Sequence, residues 1–180
     1  MIVTVFGSAN ARPGDALYES AYTLGGLLAQ QGHSLVTGGY GGTMEAVSRG
    51  ASEKGAATIG VTCAEIEKFR PGGANAWVAV EFPTESLTGR LEQLTRMADI
   101  CIALPGGVGT LCEAALTLNL MAIGAIKARV LILVGPAWKE SFELFFSVSR
   151  DFINNGLAEH LRFAQDAAEA ARMAATFTDK

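Results

Sequence analysis

Short apolar runs alternate with longer stretches of helical spacing along the whole chain, and glycine stands at most of the joins. Ile2 to Phe6 is β-branched and apolar and ends at Gly7, which predicts a buried first strand. A helix is predicted from Asp15, placed to cap it, to about Gln31, with Leu17, Ala21, Leu24 and Leu28 on one face and Gly32 as its stop. His33 to Thr37 and Thr58 to Thr62 read as strands around a helix from Met44 to about Lys54. Trp77 to Val80 reads as a fourth strand, Leu87 to Met97 as a helix capped by Ser86, and Ile100 to Leu104 as a fifth strand. The helix Leu111 to Ile123 and the strand Val130 to Val134 follow, the latter closed by Gly135-Pro136. Phe142 to Ile153 is predicted helical, with Asn154-Asn155-Gly156 as its stop. Leu161 to Ala164 reads as a short edge strand, and Asp166 caps a last alanine-rich helix ending near Thr176. Strand–helix alternation throughout implies a doubly wound α/β fold, with a mostly parallel sheet covered by helices on both faces. No internal boundary or repeat divides residues 1–180, which read as one domain.

Two of the joins are rich in glycine: Gly38-Gly39-Tyr40-Gly41-Gly42-Thr43 and Gly106-Gly107-Val108-Gly109-Thr110. Each lies between a predicted strand and a predicted helix, so each falls on the rim where ligands bind doubly wound sheets. In the second, little side chain covers the turn. The N–H groups of Gly107, Val108, Gly109 and Thr110 can converge on one ligand, and the positive end of the helix adds to them, which suits a phosphate. Glu113 comes about one turn into that helix, beside the same mouth. The alternative for this motif is a tight strand–helix turn whose early Glu favours the helix dipole. The candidate substrate-binding set also takes in Gly7 and Ser8 after the first strand, and Gly39, Gly41, Gly42, Thr43 and Glu45 around the first glycine turn. Glu45 is either a second carboxylate at the cleft or an exposed helix-start residue. Neither a G-x-G-x-x-G fingerprint nor the G-K-[ST] of a P-loop is present, so no nucleotide cofactor is implied.

Pro105 to Glu113 reads P-G-G-x-G-T-x-x-E, and the chain thereby resembles the LOG (Lonely Guy) family, often labelled lysine decarboxylase. The resemblance implies a Rossmann-like fold and a phosphoribohydrolase that cuts nucleoside 5′-monophosphates, AMP or cytokinin ribotides, into base and ribose 5-phosphate. It also implies two catalytic residues. The family's arginine fifteen residues before the motif proline falls on Arg90, and the motif's glutamate is Glu113. Both are expected on the cleft rather than in the core. Glu45 stands where many members of the family have glycine. Cys63 to Ala76, with Arg70, is expected to be an irregular lid over the cleft, and it shows no match to the family's base-contacting region, so base preference is not carried over. Relatives of the same fold include a molybdenum-cofactor carrier. A nucleotide-binding or carrier protein without turnover is therefore the alternative reading. A pyridoxal-phosphate decarboxylase is disfavoured, because none of Lys54, Lys68, Lys127, Lys139 or Lys180 stands in a cofactor-lysine setting.

Composition narrows the picture further. Apolar residues make up 49% of the 180 and charged residues 18%. That balance suits buried parallel strands and an oligomer interface. The helix from Leu111 to Ile123 is apolar on nearly all sides, which predicts a homodimer at least; the family resemblance implies dimers with active sites near the interface. The net charge of −4 argues against a general nucleic-acid or membrane surface. Met1 to Phe6 is strand-like and lacks a basic leader, and Cys63, Cys101 and Cys112 form no C-x-x-C pair, so reduced thiols in a cytoplasmic protein are expected. Two histidines far apart give no metal-ligand pattern.

Overall fold

The computed structural model describes residues 1–69, 71–153 and 155–177. Seven strands form one sheet in the order β4-β3-β2-β1-β5-β6-β7, and every neighbouring pair is parallel. The strands are β1 Ile2–Phe6, β2 Ser34–Thr37, β3 Thr58–Cys63, β4 Val80–Thr84, β5 Ile100–Ala103, β6 Leu131–Val134 and β7 Leu161–Ala164. The helices are α1 Ala16–Gln30, α2 Thr43–Ser52, α3 Ala64–Glu67, α4 Leu87–Met97, α5 Val108–Ala122, α6 Pro136–Val148 and α7 Ala167–Ala175. The chain steps outward from β1 to β4 and then crosses back to β5 beside β1, so the switch point lies between β1 and β5. The doubly wound parallel sheet expected from the alternation is the observed architecture.

Side chains alternate across the strands and fill two cores. One packs Val3, Val5, Leu35, Ile100 and Ile132 against α1, α2 and α7. The other packs Phe6, Val36, Val61, Cys101 and Leu133 against α4, α5 and α6. Thr4, on the second face, is buried and donates from its hydroxyl to the Leu94 carbonyl at 3.0 Å, which fastens α4 to the central strand. Trp138 of α6 donates from Nε1 to the Leu104 carbonyl at 3.1 Å. That bond braces the end of β5 where the second glycine turn begins.

Several boundaries differ from the sequence reading. The fourth strand runs Val80–Thr84 instead of Trp77 to Val80, because Asn75 and Trp77 are spent on a turn and Pro83 is tolerated on an edge strand. The helix predicted from Leu111 starts at Val108, with Gly109 inside its first turn. The helix predicted from Phe142 starts at Pro136 and ends at Val148; proline, which needs no N–H there, opens it instead of closing the strand. Two short 3-10 turns, Arg150–Phe152 and Asn155–His160, follow, and Asn154 of the predicted stop lies outside the described residues. Ser86 and Asp166 cap their helices as predicted, accepting from the N–H groups of Gly89 and Glu169. Asp15 precedes α1, but its carboxylate accepts from the Arg12 N–H instead of from a helix N–H. The segment 63–76 is not wholly irregular: it opens with the short helix α3. Cys63 and Cys101 are buried and Cys112 is exposed.

Candidate active site

Three loops converge at the carboxyl edge of the sheet. They are the Gly7–Asn10 loop after β1, the Gly38–Gly42 turn after β2 and the Leu104–Gly107 turn after β5. With α4 and the segment after β3 they enclose a cleft of about 540 Å³. Of the sequence candidates, Gly7, Ser8, Gly41 and Glu45 line one side. Gly107, Gly109, Thr110, Arg90 and Glu113 line the other. Gly39, Gly42, Thr43, Gly106 and Val108 are close in sequence but do not line the cleft. Arg70 lies outside the described residues. The sequence reading missed Asn10, Tyr40, Met44 and Asn75, which all line it. Tyr40 carried a signal, as the one bulky residue inside an otherwise small-residue turn.

The turn after β5 is open. Gly107 is the residue before α5 and is exposed, as are Val108 and Gly109. Leu111 makes the first helical bond, to the Gly107 carbonyl at 3.0 Å. The N–H groups of Gly107, Val108, Gly109 and Thr110 therefore precede any intrahelical partner, and none meets an acceptor among the described residues. A Cβ added at Gly107 or Gly109 would meet nothing within 4 Å, whereas one at Gly106 would strike the Thr110 hydroxyl.

The turn after β2 is more tightly packed. Gly38, Gly39 and Gly42 are buried. The Thr43 N–H, which would otherwise be free at the start of α2, donates to the Ser8 carbonyl at 2.9 Å. A Cβ at Gly42, which sits at φ 73°, would come within 2.3 Å of the Ser8 carbonyl oxygen. The carbonyls of Gly39 and Tyr40 both accept from the Asn75 side chain at 2.9 Å.

On the cleft floor Arg90 and Glu113 meet at 3.4 Å. Both are buried, at 5% and 8% exposure, where they line the cleft. Arg90 lies against Gly38, where a Cβ would fall 1.7 Å from its Nη2. Its Nε donates to the Val61 carbonyl at 2.8 Å, and its guanidinium sits 5.6 Å from the centre of the Tyr40 ring. Burial raises the Glu113 pKa to about 7, with Arg90 pulling the other way. A carboxyl poised there exchanges a proton near neutral pH. Glu45 is half-buried, and its Oε1 accepts from the Tyr18 hydroxyl at 3.1 Å. Among the described residues no group of His, Cys, Asp and Glu is placed to hold a metal ion, and no helix is long and apolar enough to cross a membrane.

Comparison with known proteins adds kinship. The model of the SLOG cluster4 family matches residues 1–143. An uncharacterised protein of Archaeoglobus fulgidus is 32% identical over 102 residues, which make up 57% of this chain and 64% of that one. The pyrimidine/purine nucleotide 5′-monophosphate nucleosidase of Escherichia coli is 32% identical over an alignment of 185 residues, which takes in 95% of this chain and 39% of the nucleosidase. The chain thus spans less than two thirds of the length of either curated relative. Among solved structures, the molybdenum cofactor binding protein of Rippkaea orientalis superposes with a TM-score of 0.75 at 26% identity, covering 97% of this chain and 95% of that one.

Proposed function

The chain belongs to the SLOG cluster4 family, and we propose that it hydrolyses the N-glycosidic bond of a purine or cytokinin nucleoside 5′-monophosphate, releasing base and ribose 5-phosphate. The observation that carries this reading is the buried Arg90–Glu113 pair, with Glu113 titrating near 7, beside the unpaired N–H groups of Gly107 to Thr110. The open turn holds the 5′-phosphate. Arg90 positions the substrate and offsets negative charge. Ionised Glu113 faces C1′, where it steadies the oxocarbenium-like ribose and takes a proton from the attacking water as the glycosidic bond breaks. The departing base takes up one proton from solvent and Glu113 afterwards returns its proton to solvent, so the proton count closes. The kinship to the E. coli nucleosidase and the LOG-like motif at Pro105 to Glu113 support the same chemistry.

The assembly belongs to the proposal. Glu113 is the one charged residue of α5, and it is buried. The outer face presents Val108, Leu111 and Ile123 to solvent, at 84%, 46% and 69% exposure. A second copy of the chain covers that face in a cytoplasmic homodimer whose protomers each act as one nucleotide-binding unit over residues 1–180.

Incubating the purified protein with AMP and with adenosine tests the reading. AMP gives free adenine and ribose 5-phosphate, and adenosine reacts far more slowly because it lacks the remote phosphate that holds C1′ in place. Binding of AMP with no base released over hours contradicts turnover. That outcome would favour a carrier, a reading supported by the near full-length likeness to the R. orientalis protein.

A further inference from the structure

Tyr40 does three things at once. One face of its ring carries the Arg90 guanidinium at 5.6 Å. Its hydroxyl accepts from the Cys63 N–H at 2.7 Å, and its single proton goes to the Cys63 carbonyl at 3.2 Å or to Glu67 Oε1 at 3.3 Å. Its own carbonyl, with that of Gly39, accepts from the Asn75 side chain. Cys63 and Glu67 begin the segment that roofs the cleft, and Asn75 ends it, so both ends of the roof are tied to Gly39–Tyr40. Arg90 in turn has few fixed bonds. Of its five N–H groups, three have partners: the Val61 carbonyl, Glu113 and a weak contact to Met44 Sδ at 3.9 Å. The others are left for a ligand, and a guanidinium held at so few points depends on what lies against its flat faces. Gly38 and Tyr40 supply those contacts.

We propose that Tyr40 is a positioning residue for Arg90: its ring holds the guanidinium at Glu113, while its hydroxyl fixes the ring to the start of the cleft's roof. The two functions are separable. Removing the hydroxyl loosens the roof and leaves the arginine seated; removing the ring releases the arginine. As a statement about turnover this rests on the hydrolase reading. As a statement about Arg90 it does not, because the Glu113 carboxyl reports the arginine's position directly. Arg90 is the charged neighbour whose field lowers that carboxyl against the effect of burial.

The test compares Tyr40→Phe and Tyr40→Leu with the wild type, following the Glu113 carboxyl by carbon NMR across pH and measuring kcat and KM for AMP. In Tyr40→Leu the Glu113 midpoint moves above its value of about 7. In the same variant kcat falls about 100-fold, the scale of a catalytic group misplaced by an ångström, while KM changes less. Tyr40→Phe keeps the wild-type Glu113 midpoint, and its KM for AMP rises as the roof loosens. If Tyr40→Leu does not fold, pentafluorophenylalanine placed at 40 keeps the ring's shape, reverses its charge distribution, and shifts the midpoint in the same direction. A midpoint unchanged in the folded ring-less or fluorinated variant overturns the proposal, and so does a Tyr40→Phe midpoint that moves. Should wild-type protein release no adenine, the hydrolase reading fails and the titration still decides the role of Tyr40.

Discussion

The two glycine turns look alike in sequence and stand on the same rim, but their glycines are packed differently. Gly38 to Gly42 is packed: its glycines make room for the Arg90 guanidinium and for the Ser8 carbonyl, and its free carbonyls and the Thr43 N–H are taken by the chain itself. Gly107 and Gly109 make room for nothing the chain contributes, and the N–H groups around them stay unpaired. One turn uses the missing Cβ to let protein approach protein; the other uses it to leave backbone donors open. The difference teaches that glycines of similar turns can serve close packing in one and backbone access in the other. On the proposed reading the first turn seats the arginine and the second receives the phosphate.

The largest effect that separates them is on turnover. Gly38→Ala puts a methyl where Arg90 Nη2 lies, so the arginine must leave its seat. The displaced group is the flexible end of a side chain, so the fold survives while AMP hydrolysis falls about 100-fold. Turnover within threefold of the wild type would break the claim that this turn seats Arg90.

Gly107→Val and Gly109→Val act on the other turn. Open space surrounds both positions and neither glycine has positive φ, so the thermal midpoint stays near that of the wild type. The branched side chain crowds the N–H groups, and AMP affinity drops at least about tenfold, the worth of one charge-assisted hydrogen bond. Calorimetric titration with AMP, alongside a thermal melt, measures both. A large loss of stability with affinity intact would reverse the contrast.

Gly42→Ala sharpens the same comparison from the stability side. It forces a Cβ onto backbone at positive φ and costs roughly 2 kcal/mol in denaturant unfolding.

A smaller, pH-dependent effect belongs to Glu113. Its folded pKa, about 7, stands above the ordinary 4.5, so the native state holds more protons between those values. The contribution to stability is complete below 4.5 and is lost as pH rises through 7. Melts across that window show the wild type losing stability relative to Glu113→Gln, whose side chain does not titrate. In kinetics kcat/KM rises with pH through about 7, since the ionised form is the active one, and Glu113→Gln abolishes that limb along with most of the activity.

The fold was legible because the apolar runs are short, buried on both faces and separated by helices of clear period; β1, β2, β5 and β7 fall within a residue or two of their predicted bounds. β4 was displaced because Glu81 and Pro83 break the strand pattern and only pairing with β3 at the sheet edge restores it. α5 and α6 began early because a glycine and a proline, read as breakers, occupy first turns where their defects cost little. Within the site, local motifs placed Arg90, Glu113 and the open turn on one cleft. Long-range packing stayed hidden: nothing in the sequence says that Asn75 and Ser8 close the first turn, that Tyr18 reaches Glu45, or that Arg90 is buried against Gly38.

A crystal structure grown with AMP, or with inorganic phosphate, tests the division between the turns most directly. The account predicts the phosphate on the N–H groups of Gly107 to Thr110, with Arg90 still seated on Gly38 and Tyr40. A phosphate bound instead at Gly38 to Thr43, with the Thr43 N–H released from Ser8, would contradict it.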